Sequence, residues 1–320
     1  MEIVIKVISC FVLLSFALSL VPNPNSSYAL SFVHNATWGQ SGISESSFKS
    51  PSGIGVDSES NVYVADYSSY STSMIKKFTS NGTFIMGFGG FGNGPGLFTN
   101  PTGIAVDSND RIYIADFGNA VYPIKEFDKN GTFIRVIGSF GLGIGQFVVP
   151  GGLGVDKNNN IYATDFGENS NVQKFDADGN FIMAFGTPGA QDGQFNNPTD
   201  VAVDSAGNIF VVDSSNNRVQ KFDADGNFIM AFGTPGAQDG QLNRPYEIAT
   251  DSQDNVYVTD SGNNRVQVFN NNGLYLMQFG NSGPAEDRLN QPIGLAVDKS
   301  NNVYVSDGAD VKIHVFSTQQ

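Results

Sequence analysis

The sequence predicts an all-β fold, a β-propeller of six blades closed into one ring by its own two ends. Three observations predict it: a unit that repeats six times, four short strand patterns inside each unit, and a last unit that stops one strand short. A proline opens an apolar stretch at Pro51, Pro101, Pro150, Pro198, Pro245 and Pro292, at spacings of 50, 49, 48, 47 and 47 residues. A period of this length is the mark of a propeller or another repeat architecture. Six residues after each proline stands an aspartate (Asp57, Asp107, Asp156, Asp204, Asp251, Asp298), and nine residues later another (Asp66, Asp116, Asp165, Asp213, Asp260, Asp307). Val172 to Gln194 recurs letter for letter as Val219 to Gln241, so one unit is a recent copy of its neighbour.

Within a unit the first strand is typified by Gly103 to Val106 and the second by Ile112 to Ala115. The third is typified by Val219 to Phe222 and the fourth by Phe228 to Phe232. Between them lie clusters such as Ser205 to Asn208 and Asp223 to Gly226, the Asp/Asn/Gly chemistry of tight hairpins. Each such sheet carries two apolar faces, and it can bury both only against neighbouring copies, so the sheets must stand side by side around an axis. The sixth unit ends at Gln320 after its third strand, while Ser31 to Gly39 precedes the first proline and ends in Trp38-Gly39, like Phe185-Gly186 at the end of a fourth strand. The N-terminal strand is therefore expected to complete the last blade, with Trp38 packed there. One domain spans residues 30–320, and a closed ring of this kind is expected to be monomeric.

Residues 1–29 differ from the rest. A short n-region with Glu2 and Lys6 leads into an apolar run from Val7 to Val21, then Pro22 and Pro24, and small residues Ser27 and Ala29 suit a cleavage site. That is a signal-peptide pattern. The run is shorter than the ~20 residues a spanning helix needs, so no membrane span is expected after cleavage; an uncleaved anchor is the alternative. Export makes the protein secreted or surface-bound. The only cysteine, Cys10, lies in this segment, so the mature chain has no disulfide and must be held by packing. Asn35, Asn81 and Asn130 sit in Asn-x-Thr sequons.

Composition closes off several function classes. With 40% hydrophobic and 12% aromatic residues the chain can bury a core, and 17 basic against 31 acidic residues leave a net charge of −14. That sign repels phosphate, and no basic run with interleaved aromatics occurs, so nucleic acid is not an expected partner. A histidine-rich catalytic zinc needs about three ligands around an open position; the chain offers His34 and His314, both mapped to outer strands of blade six. There is no Gly-x-Ser-x-Gly elbow and no mature cysteine nucleophile. The twelve periodic aspartates are expected to accept backbone N–H bonds at the ends of the first and second strands.

The residues that break the symmetry are the better functional candidates. At the third position of the innermost strand four blades carry Gly53, Gly103, Gly152 and Gly294, but blades four and five carry Asp200 and Glu247. Two carboxylates near a channel mouth can hold a hard cation such as calcium, which takes oxygen ligands. The loop from the second aspartate to the third-strand phenylalanine is 9 residues long in blades four to six, but 12, 11 and 10 in blades one to three. The longer loops carry Tyr67, Tyr70, Phe117, Tyr122, Phe166 and Glu168. Variable loops on a fixed scaffold are where binding concentrates, so these residues are expected to form a recognition surface for a protein or glycan.

The repeated patterns Pro-x-Gly-Ile-x-Val-Asp, Val-Tyr-Val-x-Asp, Asn-x-Arg-Val-Gln-x-Phe and Gly-x-Phe-x-x-x-Phe-Gly resemble the NHL repeat, over nearly all of residues 31–320 and best in blades four and five. A WD-type propeller is disfavoured by the single tryptophan. The resemblance implies the six-bladed ring. It leaves several activities open, because related propellers include RNA binders, a histidine-metal lyase, calcium-dependent lactonases and esterases, and protein-binding domains. The preferred expectation is a non-enzymatic binding scaffold. The alternative is a metal-dependent hydrolase or lyase with its cation near Asp200 and Glu247, and a surface-assembly component is a third reading.

Overall fold

The computed structural model describes residues 31–42, 44–67, 74–119 and 121–319. The predicted signal segment and Tyr70 lie outside the described residues. Six four-stranded antiparallel sheets stand around one axis, five of them in simple meander order. Blade two is representative: Pro101–Val106 innermost, then Ile112–Asp116, Ile124–Phe127 and Phe133–Ile137 outermost. The helical turns among the described residues are three short 3-10 turns, at Ser214–Asn216, Ser261–Asn263 and Ala285–Asp287. No helix among them is long and apolar enough to cross a membrane.

The periodic aspartates build the ring as their spacing predicts. After the first strand, Asp57 Oδ1 accepts the N–H groups of Glu59 and Asn61 at 3.0 and 2.8 Å, pinning the first hairpin, and its Oδ2 accepts the hydroxyl of buried Tyr63. The fourth turn residue is left-handed, at Ser60, Asp110, Asn159, Asp254 and Asn301, a conformation that short polar side chains tolerate. After the second strand, Asp116 accepts the N–H groups of Thr99 and Asn100 and so ties the connection between blades to its own blade. The other five aspartates of that series do the same.

Packing is between blades. Tyr63, Ile75, Phe88 and Phe98 of blade one and its following loop pack on Ile104, Ile112 and Phe127 of blade two, and equivalent layers recur around the ring. Burying these faces, at about 25 cal/mol per Å² of apolar surface, is the main favourable term in a chain with no disulfide to lean on.

The two ends close the ring. Ser31–Trp38 pairs antiparallel with Lys312–Gln319, so that the last sheet runs from residues 31–38 through 312–319 and 303–307 to 292–297. Trp38 occupies the final position of blade six but packs across the seam, its ring centroid 4.9 Å from Phe78 and 6.3 Å from Phe48 of blade one. It also covers Gly82, where a Cβ would lie 2.4 Å from the indole. Trp38 packs in blade six as expected, in one cluster with Tyr304, Ile313 and Val315, and also reaches into the next blade, as Phe88 does over Gly131.

Candidate functional site

Two families of loops share one face of the ring, those between the second and third strands and those between blades. Backbone bonds join them: Tyr67 N–H to Ser50 O, Phe166 N–H to Val149 O, Gly262 N–H to Asn243 O and Gly308 N–H to Gln291 O. All the recognition candidates that the structure describes stand on this face.

Over blades one to three the face is apolar. Tyr67 and Phe117 are exposed, and Phe117 stacks on Phe166 of the next blade at 5.2 Å and 21°. Tyr122 is half-buried and Glu168 exposed. The inter-blade loops add exposed Phe91, Leu97, Phe140, Leu142 and Ile144, the last 78% accessible. Sequence reasoning missed these five. The signal was present, because the loops Gly90 to Leu97 and Ser139 to Gln146 carry apolar side chains where Thr187 to Gln194 and Thr234 to Gln241 carry Ala, Gln and Asp. Exposed isoleucines on the rim (Ile85, Ile134, Ile182, Ile229) recur blade after blade and are therefore a property of the repeat. The loop-face crescent is confined to half the ring.

Over blades four to six the same face is polar and hollow. The short loops bring small side chains to the surface, and a cleft of about 380 Å³ opens between Thr199, Ser214, Ser215, Arg244, Tyr246, Ser261 and Ile293. Burial, with the neighbouring Glu247 and Asp200 charges, pushes the Tyr246 phenol up to about 12. It is a neutral donor at ordinary pH.

Asp200 and Glu247 lie part-way down the channel, 6% and 7% accessible, because the third residue of a six-residue inner strand falls near its middle. A cavity of about 170 Å³ lined by the inner strands reaches them from the opposite face. Asp200 Oδ2 accepts the N–H of Ile248 at 2.9 Å, and Glu247 Oε2 accepts that of Leu295 at 2.6 Å, so each carboxylate latches its blade to the next. Burial pushes Asp200 up to about 8, against its backbone hydrogen bonds; burial and then the Asp200 charge push Glu247 up as well. Both carboxylates already accept backbone N–H bonds, and among the described residues no third His, Cys or acid joins them in a metal-holding group.

Both histidines lie in the outer strands of blade six, His34 in residues 31–38 and His314 in residues 312–319. Neither lines the channel cavity. Burial pushes the His314 imidazole down to about 4, with the nearby His34 acting in the same direction.

The NHL repeat family matches residues 98–120, 195–222 and 242–269. No curated protein matches the chain. Solved structures share the fold. A gluconolactonase, XC5397 from Xanthomonas campestris, is 14% identical over 85% of this chain and 87% of that one, with a TM-score of 0.62. Virginiamycin B lyase from Staphylococcus aureus is 15% identical over 90% and 98%, with a TM-score of 0.59. A chain of a nidogen/laminin complex is 21% identical over 76% and 83%, with a TM-score of 0.56. At such identities the likeness carries the fold alone, since one propeller hosts lactone hydrolysis, elimination and protein association.

Proposed function

We propose that the chain, a six-bladed propeller with NHL repeats, is exported and acts as a non-enzymatic scaffold that binds a protein through its loop face. One observation carries the reading: exposed aromatic and aliphatic side chains gather over blades one to three, while the same face of blades four to six is polar. Exposed apolar side chains gathered on one face are what protein interfaces bury at their centre. The Phe117–Phe166 stack supplies a rigid aromatic anchor of the kind that dominates interface energetics. The aliphatic members, Leu97, Leu142 and Ile144, favour a protein over a glycan, because a sugar needs polar partners for its hydroxyls. Beside the patch, the serine- and arginine-lined cleft offers a place for a polar group of the same partner.

The alternative is a cation-dependent hydrolase or lyase in the channel, in keeping with the gluconolactonase and lyase that share the fold. It would have to act through Asp200 and Glu247, whose carboxylates already accept backbone N–H bonds.

The test is affinity capture from the extracellular fluid of the producing cells, with the wild type and a Phe117→Ser, Leu142→Ser, Ile144→Ser variant as parallel baits. All three positions are exposed or face solvent in loops, so the variant should melt with the wild type. The expected result is one protein retained at stoichiometric level by the wild type and lost from the variant. An identical set of captured proteins for both baits would overturn the reading, as would retention of glycans alone. Calcium-dependent turnover of a lactone or ester would establish the alternative.

A further inference from the structure

We propose that the seam of blade six holds a transition-metal ion of the zinc class, ligated by Asp307, Asp310 and His314. One ligand atom from each lies within 4.8 Å of the other two. Asp307 and His314 are buried, at 0% and 2% accessible, and Asp310 faces solvent, so an ion can enter from one side and keep one open position.

The independent observation is an orphaned nitrogen. His314 Nε2 is buried without a hydrogen-bond partner and lies 4.0 Å from Asp307 Oδ2, beyond hydrogen-bond reach. A buried polar atom without a partner loses its hydration for nothing in return. Asp287 Oδ1 lies 2.8 Å from His34 Nδ1, so that nitrogen carries a proton. Thr37 Oγ1 lies 2.7 Å from His34 Nε2 and 3.3 Å from His314 Nδ1, so one hydroxyl links the two rings. When His314 Nδ1 donates to Thr37, Nε2 is the free lone pair beside Asp307, the form in which an imidazole binds a metal. Metal-bound histidines are oriented in this way, by a hydrogen bond from the other ring nitrogen.

The repeat shows what the seam lacks. The position of His314 carries Lys76 and Lys125 in blades one and two and Gln173, Gln220 and Gln267 in blades three to five. The buried aspartate at the end of the second strand receives a side-chain donor in each of those blades: Lys76, Lys125, Asn169, Arg218 and Arg265. Asp307 receives backbone N–H groups only, from Asn290, Ala309 and Asp310. Among the described residues it is the one member of its series with no side-chain donor, and a divalent cation would take that place. An imidazole nitrogen with two carboxylates suits zinc or cobalt over calcium, which prefers oxygen alone. Since the hydrogen-bond chain runs through Thr37 and His34, the ion would bind the chain's first strand to its last.

The test uses the full chain without an affinity tag, with Co²⁺ as a spectroscopic probe and Zn²⁺ as competitor. The expected result is one visible d–d absorption band that saturates at one Co²⁺ per chain and is displaced by Zn²⁺, with a raised melting temperature. His314→Gln places there the residue of blades three to five, so the protein should fold while binding is abolished; Asp310→Asn removes an exposed ligand and should weaken it severely. Thr37→Val should weaken binding about 10-fold by releasing the ring. Absence of the band and of the melting shift overturns the proposal. Undiminished binding in His314→Gln, or binding lost in Asp200→Asn instead, overturns it too.

Discussion

Lys125 gives the sharpest test of how the ring is held together. Its ammonium lies 2.5 Å from Asp116 Oδ2, both side chains are 0% accessible, and its charge also sits 4.6 Å from the centre of the Phe98 ring. Burial lowers the lysine's pKa and the Asp116 charge raises it again, the net being downward. Desolvation thus works against the attraction, and a buried pair of this kind is weak evidence for net stability. Removing half of it is another matter. In Lys125→Met the carboxylate stays buried with the N–H groups of Thr99 and Asn100 and the Thr99 hydroxyl for partners, and a broken buried pair costs about 3–5 kcal/mol. At about 2 °C per kcal/mol for a chain of this size, the melting point falls by about 6–10 °C.

Lys125→Gln separates charge from packing. Gln220 and Gln267 occupy this position in blades four and five and donate to their aspartates at 3.1 Å, so glutamine should recover about half of the loss. Urea titration followed through Trp38, the only tryptophan, reads both variants. A Lys125→Met cost below about 1 kcal/mol, against the 3–5 expected for a broken pair, would refute the electrostatic account. Equal costs for Met and Gln would do the same, and would assign the loss to the lysine stem.

Three further outcomes follow from the same geometry. Trp38→Ala empties the seam between blades six and one and should cost about 3–5 kcal/mol in denaturant titration, read by far-ultraviolet circular dichroism since the fluorophore is gone. Asp200 and Glu247 release their protons at higher pH in the folded chain than in the unfolded one. From about pH 4 to about pH 8 the unfolded state binds fewer protons at Asp200, so its contribution is full below pH 4 and is lost as pH rises through 8, by at most about 1.4 kcal/mol per unit; Glu247 acts in the same direction. Asp200→Asn should flatten that slope in urea titrations at pH 5 and pH 8, and an unchanged slope would sink the assignment. Asn35, Asn81 and Asn130 are all exposed, and mass spectrometry of protein from a glycosylating host should find glycans there.

The ring was legible in the sequence because its hydrogen bonds are local and periodic. Asp57 bonds to residues two and four places on, and Asp66 to residues 16 and 17 places back, so each unit repeats its own constraints and a period exposes them. Closure was legible for the same reason, since a missing fourth strand and a spare first one are visible by counting. The polar cleft was not, because it depends on how far short loops such as Ser214 to Asn217 recede beside Arg244 and Tyr246. The metal-ligand group at the seam is local, Asp307, Asp310 and His314 on one hairpin, but the contacts that orient His314, through Thr37 and His34 to Asp287, form only once the chain ends have paired. Taken singly, His34 and His314 read as ordinary strand residues.

One electrostatic demand runs through the whole ring, a buried carboxylate at the end of each second strand. Blades one and two answer it with lysine, blades four and five with arginine and glutamine, and blade three with Asn169, so in five blades the answer is internal and the blade is finished as a structural unit. Blade six replaces the donor with an imidazole whose Nε2 has no hydrogen-bond partner. It also places Val311 at the left-handed position that Asn217 and Asn264 fill in blades four and five, a conformation unfavourable for a β-branched residue. A unit copied for stability has no reason to give up a donor and accept such a backbone at once. In the blade that joins the two chain ends, both departures fall within five residues of each other, on the loop and strand that carry Asp310 and His314.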